Sequence, residues 1–494
     1  MILTFIWTDI TISACTYTCN IFEGETNMKQ KMKILMRCFT LTIVILLLLT
    51  GCIGNKTDLA EENNVNPISL MADDTAYEKI CDSNNKTYAE IEPGDSFTVN
   101  LKFPEKINTI TLREKGSDCE LFNIYCVDSK GNKSLIYTGD IIDDYLYCSF
   151  KDTQAVQIIF EVEKADKTVK LCDISAYYKE KNNTDFRVHS YFAFWGNDDT
   201  YFSDRVNDSN LSKTFDITTD AIIIGNVYWN EDGTLKYPQS QFERELSALR
   251  QIIGERDVRI WVCILNPRKE DGTIDNNASV KSINKNLDKL TDSIAAFSEK
   301  YALDGIDFDW EYPRLPHVWS AYNKLLTNLK PKLEKSGTLL SSALGPWGNM
   351  MNDEAKEALD FVNVMSYDWA KNKRNNHAEF YTCHYFSAKY FLNHGFKKEQ
   401  LVLGVPFYGS TTGDEYSQSA YSTFEITDKG QNTGTLDGKE YYFNGYNTIY
   451  SKTAFTADSG FAGMMIWNGQ LDCPYESEYS LFRAMEEAIK NRVN

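Results

Sequence analysis

Residues Leu303 to Pro313 read LDGIDFDWEYP and carry four carboxylates, Asp304, Asp307, Asp309 and Glu311, within eight positions. Ile306, Phe308 and Trp310 alternate with the last three acids. Period two is the period of a β-strand, so Asp307, Asp309 and Glu311 share one face and the apolar set takes the other. A solvated strand face seldom carries three acids and no lysine, because like charges at that spacing repel. That cost marks the stretch as one with a task to perform. A calcium loop is the rival reading, but Gly305 is misplaced for an EF-hand and the interleaved apolar residues argue for a strand.

Around this stretch the grammar is strand followed by helix. From Arg187 onward the candidate strands are RVHSYFAFW, DAIIIGNVYW, DVRIWVCIL, LDGIDFDWE, TLLSSALG, DFVNVMSYD, QLVLGVPFYG and FAGMMIWN. Between them lie stretches such as QFERELSALRQIIGE and SVKSINKNLDKLTDSIAAFSEKY, with apolar residues at helical spacing. Eight such units over residues 187–492 predict a (β/α)8 TIM barrel of the α/β class, whose site lies at the C-terminal ends of the strands. Glu311 would close the fourth strand and emerge there.

The preceding region differs. FTVNLKF, INTITLRE, LFNIYCVD, KSLIYTGD, YLYCSFKD, AVQIIFEVE and VKLCDISAYY are short alternating segments separated by turn signals, which predicts an all-β jelly-roll sandwich over residues 67–180. Residues 181–186 would link it to the barrel. At the N-terminus Lys29, Lys31, Lys33 and Arg37 precede the uncharged run Cys38 to Gly51, which falls short of the roughly 20 residues that span a bilayer. Residues 1–51 therefore read as a signal region, with translation starting at Met28 or Met32 as a further reading, and 53–66 as a polar tether. Of twelve cysteines, Cys15, Cys19 and Cys38 would be lost on processing. Eight follow Cys52, none in a CxxC pair or a Cys/His cluster of zinc spacing. They read mostly as buried thiols, with room for one disulfide in the first half. No metal or cofactor is called for, and His189, His317, His377, His384 and His394 share no spacing that assigns them a role.

Composition narrows the partners. A formal charge of −19 disfavours nucleic acid and anionic lipid headgroups, both of which reward clustered lysine and arginine. A neutral ligand such as a sugar fits, since 29 Tyr, 27 Phe and 9 Trp offer flat faces for sugar rings even after the core has taken most of them.

The motifs now support a family resemblance. DGIDFDWE resembles the DGxDxDxE signature of glycoside hydrolase family 18, the chitinase family, and MSYD at Met365 to Asp368, LGVPFYG, and GMMIW ending at Trp467 follow in the family's order. The resemblance implies hydrolysis of β-1,4-linked N-acetylglucosamine glycans, chitin or chitooligosaccharides, by substrate-assisted retaining catalysis, an exception to the two-carboxylate scheme. Glu311 would protonate the glycosidic oxygen, with Asp307 and Asp309 raising its proton affinity. Asp309 would orient the 2-acetamido group and Tyr367 would hydrogen-bond it. Met365 and Asp368 would line the pocket, and Trp467 would floor the sugar. Asp304 reads as structural. An endo-β-N-acetylglucosaminidase for N-glycans or peptidoglycan is the alternative within the class, and a non-catalytic family-18-like lectin the alternative outside it.

Two further resemblances concern the first half. LTGC at Leu49 to Cys52 resembles the bacterial lipoprotein box, implying lipidation at Cys52 and an outward-facing place in the cell envelope, with the lipid as the one membrane contact. The β segments ending in CDISAYY resemble the discoidin-like, coagulation-factor type C jelly roll. The chain departs from family 18 at CILNPRK, where a Ser-x-Gly-Gly motif ends the third strand, and at Ser410, where an arginine often follows PFYG. About 50 residues separate Gly409 from Gly460, fewer than the α+β insertion of many processive members, which implies a shallow cleft and endo cleavage.

Overall fold

The computed structural model describes residues 66–182, 185–196, 198–368, 376–413 and 415–494. The signal region, the lipoprotein box with Cys52 and nearly all of the tether lie outside these residues.

Eight parallel strands close into a barrel: Arg187–Ala193, Asp220–Ile224, Arg259–Ile264, Gly305–Asp309, Leu339–Leu344, Phe361–Val364, Leu401–Pro406 and Gly463–Trp467, each paired with its sequence neighbour and the eighth with the first. All eight correspond to segments expected from the sequence. Helices Gln239–Ile253, Asn276–Lys300 and Pro316–Leu333 pack outside, the first through Phe242, Leu246, Leu249, Ile252 and Ile253, all buried. Each such side chain taken from water contributes about 1.5–3 kcal/mol. Asp275 caps the second helix by accepting the Ala278 N–H at 2.9 Å, which satisfies one of its orphan donors.

The fourth strand shows how the alternation sorts itself. Ile306 and Phe308 are fully buried beneath the helices, while Gly305, Asp307 and Asp309 take the barrel face. Gly305 sits opposite Trp261 in the ladder, and a Cβ there would meet the Trp261 ring at 1.9 Å. Only glycine leaves room for that indole, which fills the barrel core. Asp304 accepts the Ile260 N–H at 2.8 Å, a structural task at the strand entrance.

The β-rich region forms a seven-stranded antiparallel sheet, with two short strands at Leu70–Ala72 and Ala89–Ile91 that the segment list lacked. Segments read as separate strands run together: FTVNLKF and INTITLRE lie in Ser96–Glu114, and YLYCSFKD and AVQIIFEVE in Leu146–Ala165. The apparent turn signals between them become irregularities, with register shifts between Asn100 and Glu105 and between Ile107 and Thr109, where the paired strands bend without reversing.

This sheet is held to the barrel by a buried cation. Arg492, on the last helix, Leu481–Arg492, is 0% exposed. Its Nη2 donates to Asn108 O at 2.7 Å, Ser149 Oγ at 2.6 Å and Thr109 Oγ1 at 3.0 Å, and its Nη1 to Lys179 O at 3.3 Å. Asp458 lies 3.5 Å from its Nε and accepts the Tyr147 hydroxyl at 2.5 Å. The eight cysteines among the described residues are free thiols, six of them buried, so the first half carries no disulfide there.

Candidate active site

The pocket opens at the C-terminal ends of the strands, and neighbouring elements each supply part of it. Asp309 ends the fourth strand, and Glu311 stands two residues beyond it, exposed, rather than within the strand. Met365, Tyr367 and Asp368 follow the sixth strand, and Trp467 ends the eighth. These six, with Tyr191, Tyr312, Ala343, Trp347 and Met465, line a pocket of about 100 Å³. Asp307 is not among the lining residues and lies fully buried beneath it.

Asp307 anchors a polar network inside the barrel. It accepts from Tyr191 Oη at 2.8 Å, Ser341 Oγ at 2.5 Å and Asn363 Nδ2 at 3.3 Å. Asn363 also donates to Tyr191 Oη at 2.8 Å and pairs its Oδ1 with His189 Nδ1 at 2.8 Å, while His189 Nε2 lies 3.4 Å from Asp220. The network therefore holds the Asp307 carboxyl in place one pleat below Asp309.

Asp309 is the carboxyl whose proton affinity rises. Burial pushes it well above the ordinary carboxylate range, and the charges of Glu311 and Asp307 push the same way. Its Oδ1 is buried without a hydrogen-bond partner, and its carboxyl is hydrogen-bonded with that of Glu311. Desolvation is the largest cause because Asp309 is the enclosed member of the pair.

The donors around the pair are also set. Burial raises the Tyr367 phenol well above its ordinary value, as do the charges of Asp368, Asp309 and Glu311, so it stays a donor. Its ring lies against the seventh strand at Gly404, where a Cβ would sit 3.0 Å from Tyr367 Cε1 and 2.3 Å from Val364 O. Asp368 adopts the left-handed region at φ +64° and accepts from the hydroxyls of Tyr408 and Tyr416, the latter at 2.6 Å. The Trp467 ring is tilted against Tyr191 at 5.6 Å between centroids, and Trp347, partly exposed, stands edge-on to Tyr312 at 5.4 Å.

Tyr191, Tyr312, Trp347, Met465 and Tyr416 escaped the sequence reading. Tyr191 was legible in principle, since it alternates inward with His189 on the first strand. Tyr416 was not. It belongs to the segment after the seventh strand, which folds as a four-stranded antiparallel sheet containing Tyr408–Ser410, Gln418–Ala420, Thr433–Leu436 and Lys439–Tyr442.

The sequence profile of the glycosyl hydrolases of family 18 matches residues 173–472. A segment of 142 residues is 32% identical to a probable chitinase 2 of Drosophila melanogaster, covering 25% of this chain and 29% of that protein. Another of 212 residues is 27% identical to chitinase A1 of Niallia circulans, covering 33% of this chain and 30% of that one. The chain thus spans less than a third of the length of these curated relatives. The solved structure of a chitinase from Bacteroides thetaiotaomicron superposes with a TM-score of 0.52 at 21% identity, over 62% of this chain and 97% of that one, a likeness of fold.

Proposed function

From the premise that this chain belongs to glycosyl hydrolase family 18, we propose that it hydrolyses β-1,4-linked N-acetylglucosamine oligosaccharides, with the substrate's own acetamide as the nucleophile. The observation that carries the reading is the Asp309–Glu311 pair, one carboxyl enclosed and proton-loving, the other exposed, over the buried Asp307. Glu311, facing the opening, donates its proton to the glycosidic oxygen as that bond to the anomeric carbon breaks. The acetamide carbonyl oxygen forms its bond to the same carbon, giving a cyclic cation. Asp309 accepts the acetamide N–H and balances that charge, and the Tyr367 hydroxyl donates to the acetamide oxygen, orienting it for attack. Water then opens the ring, losing a proton to the Glu311 carboxylate, and the anomeric carbon regains its β configuration. Met365, Trp467 and Asp368 shape the pocket in which this happens. Asp307 lies below the pair and adds to the rise in the proton affinity of Asp309 in the free site; Asp309 passes that proton to Glu311 as the acetamide N–H arrives, and only then carries the charge that balances the cation.

Beyond the barrel, the reading includes a discoidin-like accessory region at 67–180 and export with lipidation at Cys52, on the sequence motifs alone. The central test is a reducing-end assay on three oligomer series of equal length. Chitin oligomers should be cut, whereas cellulose and fully deacetylated chitin oligomers, which lack the carbonyl oxygen, should be inert. Comparable cleavage of either inert series would mean another group is the nucleophile, and binding without any cleavage would make the protein a lectin.

A further inference from the structure

Beside the catalytic pocket lies a larger cleft of about 730 Å³ at the ends of the first three barrel strands. Its walls come from segments directly following those strands: Trp195 after the first, Asn226 and Tyr228 after the second, and Arg268 after the third. The third is the CILNPRK stretch, where the sequence departs from its family and for which the proposed reaction has no use.

Three observations mark the cleft as built for a ligand. Trp195 is 57% exposed, a large apolar face left in water at its rim. Asn226 is only 5% exposed, yet neither its Oδ1 nor its Nδ2 has a hydrogen-bond partner, and the buried Nε1 of Trp229 in the same wall also lacks one. Buried amide and indole groups cost free energy when unpaired, so the unpaired amide of Asn226 and indole N–H of Trp229 leave donor and acceptor capacity in the cleft wall for a polar occupant. An indole face with an amide nearby suits a sugar ring and its hydroxyls.

The charges go further. Lys236 pairs with Tyr228 across a two-residue ribbon, and Lys236 and Arg268 both line the cleft. Neither is in an ion pair among the described residues, whereas Glu231, the acid in the same wall, is taken by Lys281. Arg268 is near enough to Asp309 to oppose in part the rise in that carboxyl's proton affinity. Two unneutralised cations in a chain of net charge −19 are a local exception to its field. The long-range repulsion is screened beyond about 8 Å at physiological ionic strength, so the nearby pair decides what the cleft accepts.

We propose that the cleft formed by Trp195, Asn226, Lys236 and Arg268 recognises a sugar unit bearing a carboxylate, so that the preferred substrate is an acidic N-acetylglucosamine glycan rather than plain chitin. The inference rests on the hydrolase reading for the cut bond but not for the charge preference. The carboxylate arrives either as a lactyl ether on C3, as in the glycan strands of peptidoglycan, or as a uronate at C6.

The test is calorimetric binding to the full chain carrying Glu311→Gln, which holds ligand without turning it over. The probes are a chitin oligomer, the same oligomer oxidised to carboxylate at C6, a peptide-stripped strand with lactyl ethers on alternate sugars, and the methyl ester of each acid. At least one acid should bind about tenfold more tightly than its own ester, the value of charge-assisted contacts at an exposed site. That advantage should vanish on adding Arg268→Gln or Lys236→Gln, with thermal unfolding unchanged, and should shrink as salt rises. A preference confined to the lactyl strand assigns the C3 ether, and one confined to the oxidised oligomer assigns the uronate. Equal binding of both acids and their esters, or an acid preference that survives both substitutions, overturns the proposal. Failure of the wild-type chain to cut any oligomer would instead defeat the hydrolase reading, leaving the acid-to-ester ratio as a direct measure of the cleft.

Discussion

The hydroxyl of Tyr191 on the first barrel strand donates to Oδ2 of Asp307 on the fourth at 2.8 Å, across the inside of the barrel. The bond links two strands that are not neighbours in the sheet, and it orients the Asp307 carboxyl beneath Asp309. Tyr191→Phe removes it and also strips Asn363 Nδ2 of its 2.8 Å acceptor. Stability should fall by about 1–3 kcal/mol, the cost of leaving buried polar groups unpaired. Chemical denaturation of the two proteins measures it, and an unchanged midpoint would show that water replaces the phenol.

Glu311→Gln keeps the shape of the exposed carboxyl and removes its proton. Turnover of chitin oligomers should fall by about 10²–10⁴-fold, the range for loss of a positioned acid, with ligand affinity kept. Proton NMR of the wild-type reaction should find the β-anomer first, because two displacements restore the configuration. An α-anomer appearing first would exclude participation of the acetamide.

Asp309 makes stability depend on pH in a defined direction. Its folded proton affinity is raised, so between about pH 4, where the unfolded carboxyl ionises, and its higher folded value the native state binds the extra proton. Stability from this group therefore falls as pH rises through that window. Asp309→Asn removes the titration, so the variant should gain on wild type from pH 4 towards neutral while losing activity. Unfolding curves that stay parallel across that range would contradict the assignment.

Arg492 is buried between the sheet and the barrel with Asp458 at 3.5 Å. Arg492→Ala leaves that carboxylate and the acceptors Asn108 O and Lys179 O without their cation. Removing one partner of a buried pair costs about 3–5 kcal/mol. Urea unfolding followed by intrinsic fluorescence should show a lower midpoint, and an unaltered one would mean the sheet is held by its apolar contacts alone.

The eight strands were legible one by one, because strand alternation and helix spacing are local properties set by which faces meet water. DGIDFDWE could be placed at the mouth of the barrel for the same reason: period two assigns each of its side chains to a face. The merger of Ser96–Glu114 into one strand could not be read, since a bend and a reversal use the same turn residues and only the partner strand decides between them. That burial would raise the proton affinity of Asp309 was beyond the sequence too. Spacing shows that Asp307, Asp309 and Glu311 are close, but desolvation depends on what covers each one, and that is set by Tyr191, Tyr367 and Trp467, more than 50 residues away along the chain. The cleft around Asn226 and Arg268 is wholly a product of the tertiary fold. The sequence determined the barrel and the acids at its mouth through local periodicity, while closure of the barrel decided which groups are enclosed, which are unpaired and which charges stand side by side.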